Sequence, residues 1–197
     1  MDYLENRHQY DGFDIKGEFK TEDFEKRGFP KVIETTVAQN EFKEQVIYTS
    51  DDKAYLLHTV GRIGCDACLL LTIESDGTEH VVVTHFDPIH DEEHVKLIRE
   101  KTYSHPKGQR KAVLVTRGAD NDEWRHKLCD ALRGYLGDEE PDVVSLPHLD
   151  VEHARELAEP FGYLNYQLCY TRGYGGDRKK HRVNVPKGGN DVYFESI

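Results

Sequence analysis

Two strongly apolar segments separated by an Asp-Gly pair constrain the fold of this chain more than any other feature. The first, CDACLLLTIES, covers residues 65–75, and the second, HVVVTHF, covers residues 80–86. Asp-Gly at 76–77 favours a hairpin turn, because glycine readily adopts the positive φ angles that such turns require. The sequence therefore predicts a buried β-hairpin over residues 65–86.

Strand-like and helix-like patterns on both sides of the hairpin predict a mixed domain. Alternating or β-branched segments indicate strands, and helical spacing with acids early and bases late indicates helices. We therefore predict an α+β fold: a single domain with a largely antiparallel β-sheet or sandwich core, flanked by two or three helices. Further strands are predicted at 31–39, 54–60 (ended by Gly61 and Gly64), 111–118, 142–150, 163–171, 182–185 and 191–196, and helices at 91–103, 120–137 and 151–161.

Chain length and local composition predict one main domain. A chain of 197 residues suits a single core, and residues 51–197 contain nearly all of the regular patterns. Residues 1–50 are charged and interrupted, which predicts an N-terminal extension or an extra outer layer.

Charge and hydropathy exclude several classes of partner. The 26 Lys and Arg residues against 37 Asp and Glu give a net charge of -11, which argues against binding the nucleic-acid phosphate backbone. No apolar run is long enough for a membrane span, and the polar N-terminus does not resemble a signal peptide. We predict a cytoplasmic protein with reduced cysteines; export into a host cell by a route without a signal peptide is the alternative.

Cys65 and Cys68 allow three interpretations. They could pack as small apolar side chains, which is the usual state of reduced cysteine. They could bind zinc together with histidines from the group His85, His90 and His94, although no second Cys-x-x-Cys supports such a site. Cys65 could also be a nucleophile, because it follows a glycine-containing turn whose N–H groups can stabilise a thiolate and an oxyanion.

A nucleophilic Cys65 needs a base, and His85 is the candidate. The Asp-Gly turn folds the two strands back, so that both residues lie at the same end of the hairpin. Strand register decides whether their side chains share a face, because a shift of one residue reverses the face. Cys68 is three residues from Cys65 and is therefore expected on the opposite face, in the core. Cys129 is also predicted to lie in the core.

The stretch LLHTVGRIGCDACLLLTIESDGTEHVVVTHFDP resembles the active-site region of the CheD family of glutamine deamidases. The fold of that family is shared with bacterial toxin deamidases such as the catalytic domains of cytotoxic necrotizing factors. A second stretch, YGGDRKKHRVNVPKGGNDVYF, resembles the family's Gly-Gly-Asn-Arg run and closing hairpin. The chain departs from the family pattern at Gly64, where serine is usual, and at Asp177, where asparagine is usual. The residues at the corresponding positions, these two departures included, are Thr59, Gly64, Cys65, His85, Phe86, Pro88, Gly175, Gly176, Asp177 and Arg178.

The resemblance implies a cysteine-dependent protein glutamine deamidase that needs no cofactor and no metal. It assigns Cys65 as nucleophile, His85 as base and Thr59 as the residue that orients the histidine. Backbone N–H groups of Gly64 and Cys65 are expected to hold the oxyanion. The expected partner is a protein with a reactive glutamine, either a bacterial receptor or, for an effector, a host protein. The alternative is a zinc-binding or non-enzymatic interaction domain.

A basic cluster in this acidic chain is a candidate docking patch for an acidic protein substrate. The same cluster is also compatible with an ordinary exposed turn. It consists of Arg178, Lys179, Lys180 and Arg182.

Overall fold

Ten β-strands and two α-helices form the part of the chain that the structure, a computed structural model, describes. That part comprises residues 32–51, 53–62, 65–116, 123–145, 165–172, 180–184 and 192–195. The strands are β1 (Val32–Thr36), β2 (Glu41–Ile47), β3 (Ala54–Arg62), β4 (Ala67–Ile73), β5 (Glu79–His85), β6 (Gln109–Thr116), β7 (Asp142–Ser145), β8 (Asn165–Arg172), β9 (Lys180–Asn184) and β10 (Val192–Glu195). The helices are α1 (Asp91–Ser104) and α2 (Glu123–Leu136), and a short 3-10 helix (Pro88–His90) precedes α1.

The strands form two five-stranded sheets. Sheet A has the order β1-β3-β8-β9-β10, and sheet B has the order β2-β5-β4-β6-β7. Neighbouring strands run antiparallel except β1 with β3 and β6 with β7, which are parallel. The predicted α+β fold with a largely antiparallel sandwich core is confirmed.

Two apolar clusters hold together three layers, namely sheet A, sheet B and the two helices. The first lies between the sheets and joins residues such as Leu57 and Tyr170 of sheet A to Leu69 and Val83 of sheet B. The second lies on the other face of sheet B, where Leu70 and its neighbours pack against α1 and α2. The central strands of sheet B are buried on both faces, which explains why β4 and β5 are almost continuously apolar.

The structure differs from the predicted elements in two strands. β3 continues through Gly61 to Arg62, because β8 pairs with it along its whole length and keeps the ladder intact. β2 was not predicted: it is an edge strand whose mostly exposed, charged side chains hide the β pattern. The predicted helix at 151–161 lies outside the described residues.

The predicted boundary at residue 50 falls between β2 and β3. The two strands that precede it belong to the sheets of the domain, β1 at the edge of sheet A and β2 at the edge of sheet B. Val37 follows β1 directly, and Ile47 is the last residue of β2. Both lie in the cluster between the sheets. The segment 32–47 thus contributes to both sheets and crosses from one to the other.

Candidate active site

The hairpin of β4 and β5 brings Cys65 and His85 to the same end of sheet B. The ladder pairs Leu69–Ile73 with Val83–Glu79, and after a gap at residues 67–68 the same register resumes at Asp66 and Phe86, which are joined by two backbone hydrogen bonds of 2.8 Å. In this register Ala67 lies opposite His85, so that Cys65 is the diagonal neighbour of His85 on the same face. Diagonal neighbours in such ladders are about 7–8 Å apart, within reach of aromatic and long side chains. The register therefore meets the condition that a Cys65–His85 pair requires.

Thr59 in β3 contacts His85 across the space between the sheets. Its Oγ1 lies 2.9 Å from Nδ1 of His85 and 2.9 Å from the carbonyl oxygen of Val37. Both side chains are buried. Because a carbonyl oxygen can only accept, the Thr59 hydroxyl donates to Val37 and accepts from the N–H of His85. This contact fixes the imidazole tautomer that carries its proton on Nδ1.

The second ring nitrogen of His85, Nε2, is consequently an acceptor. It is buried, and among the described residues no hydrogen-bond partner reaches it. Burial lowers the pKa of His85, and the nearby carboxylate of Asp87 offsets part of that effect. The ring is therefore neutral at pH 7 and presents a lone pair, which is the state of a general base.

The thiol of Cys65 is buried, with 7% of the residue exposed, and forms no disulfide with a cysteine of the described ranges. No hydrogen bond joins it to Nε2 of His85 in the described residues. Such contacts are commonly long before substrate binds and shorten in the reactive complex. Gly64 lies outside the described residues, so the oxyanion hole of Gly64 and Cys65 stays a prediction.

Cys68 lies in the core, as predicted, and strand alternation puts Cys65 on the other face. Cys68 is fully buried in the cluster beneath the helices, and its backbone N–H donates to Oγ1 of Thr84 at 2.8 Å. Burial raises the pKa of the Cys68 thiol well above its usual value, which makes it a poor nucleophile. Cys129 is half-buried against the same cluster, and burial raises the pKa of its thiol too.

The geometry gives the zinc interpretation no support. Cys65 and Cys68 face opposite sides of the strand, and the Nε2 atom of His94 is 2.8 Å from the Thr84 hydroxyl. Within the described ranges, no group of three or more His, Cys, Asp or Glu side chains is arranged to bind a metal ion.

The basic cluster is only partly within the described residues. Lys180 and Arg182 lie in β9, where they pair with Thr171 and Cys169 of β8. Arg178 and Lys179 fall outside the described ranges. The docking role of the cluster stays a prediction.

Sequence reasoning missed three residues that surround His85. Val37 supplies the carbonyl that orients Thr59, Asn40 donates its backbone N–H to the carbonyl oxygen of His85 at 2.6 Å, and Asp87 follows two residues after His85. Asp87 precedes a proline and caps the 3-10 helix through the N–H of Ile89, a pattern that the sequence does display. Val37 and Asn40 lie far from His85 in sequence and gave no signal.

Comparison of the chain with models of known protein families and with curated proteins gives no match. Neither helix in the described ranges is sufficiently long and apolar to cross a lipid bilayer.

A groove of about 670 Å³ opens at the other end of sheet B, between the start of β6 and the end of α2. Lys107, Arg110 and Glu140 are among the residues that line it. Ala67 pairs with Val115 at the Cys65 end of β6, so the groove and Cys65 lie at opposite ends of that strand. The groove has mixed charge and is separate from the candidate site.

Replacing Thr59 with valine is expected to let His85 adopt the other neutral tautomer, in which the proton is on Nε2. Valine has nearly the same shape but leaves Nδ1–H of His85 and the carbonyl of Val37 without a partner. Such a loss in a buried site costs about 1–3 kcal/mol in the free energy of unfolding. Long-range ¹H–¹⁵N NMR of the imidazole reports the tautomer, and urea unfolding reports the stability. Thr59→Ser keeps the hydroxyl and is the control; an unchanged tautomer in Thr59→Val contradicts the assigned role.

Proposed function

We propose that this protein is a cysteine-dependent protein glutamine deamidase, which converts a glutamine side chain to glutamate and ammonia. One observation carries the proposal: the relay from Val37 through Thr59 to His85 leaves Nε2 as a buried acceptor on the same face as Cys65. The resemblance of the surrounding motifs to the CheD family supports the same chemistry.

In the first half of the proposed reaction, the Cys65 sulfur attacks the carbon of the glutamine carboxamide while its proton passes to Nε2 of His85. The carbonyl oxygen takes the negative charge, and backbone N–H groups at residues 64 and 65 stabilise it. The C–N bond then breaks, and the proton on Nε2 goes to the departing nitrogen, which leaves as ammonia. The product is a thioester between Cys65 and the substrate.

In the second half, Nε2 of His85 removes a proton from a water molecule that attacks the thioester. The C–S bond breaks, the sulfur recovers a proton from His85, and the side chain leaves as glutamate. One water is consumed and one ammonia is released, so the enzyme returns to its starting state. Thr59 keeps the Nδ1 proton in place throughout, which aims Nε2 at the thiol.

The proposed substrate is a glutamine side chain of another protein. That protein is a bacterial receptor or, for an effector, a host protein. The cluster formed by Lys180, Arg182 and their neighbours at 178–179 suits an acidic surface, because it concentrates four cationic side chains in a chain whose net charge is -11. Attraction of this kind accelerates encounter and weakens as salt concentration rises.

The proposal predicts that Cys65 reacts with limiting iodoacetamide at neutral pH much faster than Cys68 or Cys129. A neutral imidazole that takes the thiol proton lets the sulfur react below the usual thiol pKa, whereas the buried thiols of Cys68 and Cys129 have raised pKa values. Mass spectrometry of each cysteine peptide over a range of pH gives the rates. The activity is then sought as ammonia release and as Gln-to-Glu conversion in bacterial and host-cell lysates.

Cys65→Ser is the control for the lysate assay, because it removes the thiol and preserves the size of the side chain. Conversion that requires Cys65 supports the deamidase. If Cys65 alkylates no faster than Cys129, nucleophilic chemistry is excluded and a binding domain with packed cysteines is the better description.

A further inference from the structure

A pair of polar side chains, Asn40 and Asp87, holds the backbone that carries His85. The backbone N–H of Asp87 donates to Oδ1 of Asn40 at 2.9 Å, and Nδ2 of Asn40 donates to Oδ2 of Asp87 at 2.9 Å. The backbone N–H of Asn40 also donates to the carbonyl oxygen of His85 at 2.6 Å. Asn40 thus contacts the residues at both ends of the segment 85–87.

The middle residue of that segment is held from the other side. Phe86 pairs through both its N–H and its carbonyl with Asp66, the residue that follows Cys65. The three residues 85–87 are therefore fixed alternately to the β1–β2 connection and to the start of β4. Movement of either support changes the placement of His85 relative to Cys65.

Asn40 is suited to its position by its backbone as well as by its amide. Its φ angle is 61°, in the left-handed region that only glycine, asparagine and aspartate adopt at low cost. Glycine could keep this conformation and the N–H contact to His85, but it has no side chain to contact Asp87. A substitution at this position can therefore separate the two contributions.

Asp87 collects hydrogen bonds from several elements. Besides Asn40, its carboxylate accepts from Nε2 of Gln39 at 3.1 Å, from the N–H of Ile89 at 3.0 Å and from Nδ1 of His90 at 2.7 Å. The Asn40 amide is the largest cause that holds the pKa of Asp87 far below its usual range. The carboxylate is therefore charged, and it favours the protonated form of His85.

We propose that Asn40 and Asp87 are positioning residues that hold His85 and favour its imidazolium form when the Cys65 thiol gives up its proton. The inference rests on the proposed deamidase chemistry, and it adds that the segment before residue 50 forms part of the active site. In this proposal Asn40 and Asp87 act through His85 and do not contact the substrate.

The test measures the rate at which limiting iodoacetamide alkylates Cys65 from pH 5 to 9. It compares single variants at residues 40 and 87 with a double variant in which the two residue types are exchanged. Asn40→Gly removes the side-chain amide and keeps the backbone conformation. It is expected to slow alkylation about tenfold at pH 7, because a misplaced catalytic group lowers the rate by at least this much. Asn40→Asp places two carboxylates together and is expected to be slower still. The double variant Asn40→Asp with Asp87→Asn restores a charged–amide pair and is expected to recover part of the rate.

The pH profile separates positioning from general loss of stability. Asp87→Asn removes the charge, so the pH of half-maximal alkylation is expected to rise. The titratable groups around this region include His90 on the 3-10 helix, Glu41 opposite His85 on β2 and Asp66 opposite Phe86. Glu93 and His94 on α1 and Cys65 itself complete the set that the profile has to consider. His90→Gln is the matched control, because it removes a partner of Asp87 and leaves the Asn40 contact intact.

Each outcome decides one of the two proposals. If wild-type Cys65 is fast, His85→Ala is slow, and the variants at residues 40 and 87 match the wild type in rate and profile, the positioning role is wrong and the deamidase proposal stands. If wild-type Cys65 is itself slow, the deamidase proposal fails. Rates that follow thermal stability alone, with no recovery in the exchanged variant, also overturn the positioning role.

Discussion

Replacing His85 with alanine is expected to reduce the rate of the proposed deamidation by about 10²–10⁴, the usual contribution of a positioned acid–base group. The reason is structural: Nε2 is the acceptor on the face that Cys65 shares, and Thr59 fixes the ring through Nδ1. Alkylation of Cys65 at pH 7 should fall by roughly tenfold or more, because an unassisted thiol is only a few per cent ionised at that pH.

His80→Ala is the matched control for His85→Ala. His80 lies in the same strand, at the other end of the hairpin, and its ring contacts Glu74 at 2.7 Å. Both substitutions remove an imidazole from β5, so general damage to the strand should appear in both. If the two variants slow the alkylation of Cys65 equally, His85 has no special role in its reactivity.

Acid is expected to destabilise the fold through His94. This histidine is fully buried on α1, with its ring stacked on Phe86 at 4.7 Å and Nε2 bonded to Thr84. Burial is the main cause that lowers the pKa of His94 from 6.5 to about 3. Its folded-state pKa is depressed, so the unfolded chain binds the proton first as the pH falls below 6.5.

The stability lost in this way grows as pH falls from 6.5 and levels off near pH 3. At pH 4.5 the loss from His94 is about 2–3 kcal/mol, at about 1.4 kcal/mol for each pH unit. Urea unfolding at pH 7 and pH 4.5 measures it. His105, whose pKa burial lowers to about 4, adds a loss of the same sign.

A non-titrating side chain should remove the His94 contribution. In His94→Gln the difference in unfolding free energy between the two pH values is expected to shrink by about 2–3 kcal/mol. His126→Gln, at an exposed position on α2, should keep the wild-type difference. An unchanged pH dependence in His94→Gln contradicts the assignment.

The predictable part of the fold is the part in which local sequence decides the structure. The hairpin of β4 and β5 followed from its apolar runs and the Asp-Gly turn, where Gly77 has a φ of 83°. The helix α2 begins and ends close to the predicted limits because apolar spacing marks it and Gly137, with a φ of 77°, follows its end. The extent of β3 depends on β8, a distant strand, so its own residues do not reveal it.

The candidate site likewise contains residues that local sequence reveals and residues that it does not. Cys65 and His85 could be related from sequence because one turn connects their strands, and the resemblance to a known motif added Thr59. Val37 and Asn40 could not be found, because they reach His85 only through a crossing from sheet A to sheet B that no local pattern encodes. Asp87 was recognisable as a helix cap but not as a partner of Asn40.

The pairing of β3 with β8 has a consequence for how the protein is made. Thr59 lies opposite Leu168, more than 100 residues later, whereas β4 pairs with β5 across one turn and with β6 at separations below about 50 residues. Closing so long a loop is slow compared with forming a hairpin. On the ribosome, the strands that carry Cys65 and His85 can therefore fold before β8 has emerged, and the strand of Thr59 gains its second neighbour only after β8 has been synthesised. The proposed catalytic group would thus reach its working geometry only after β8 has joined β3, later than the hairpin that carries Cys65 and His85.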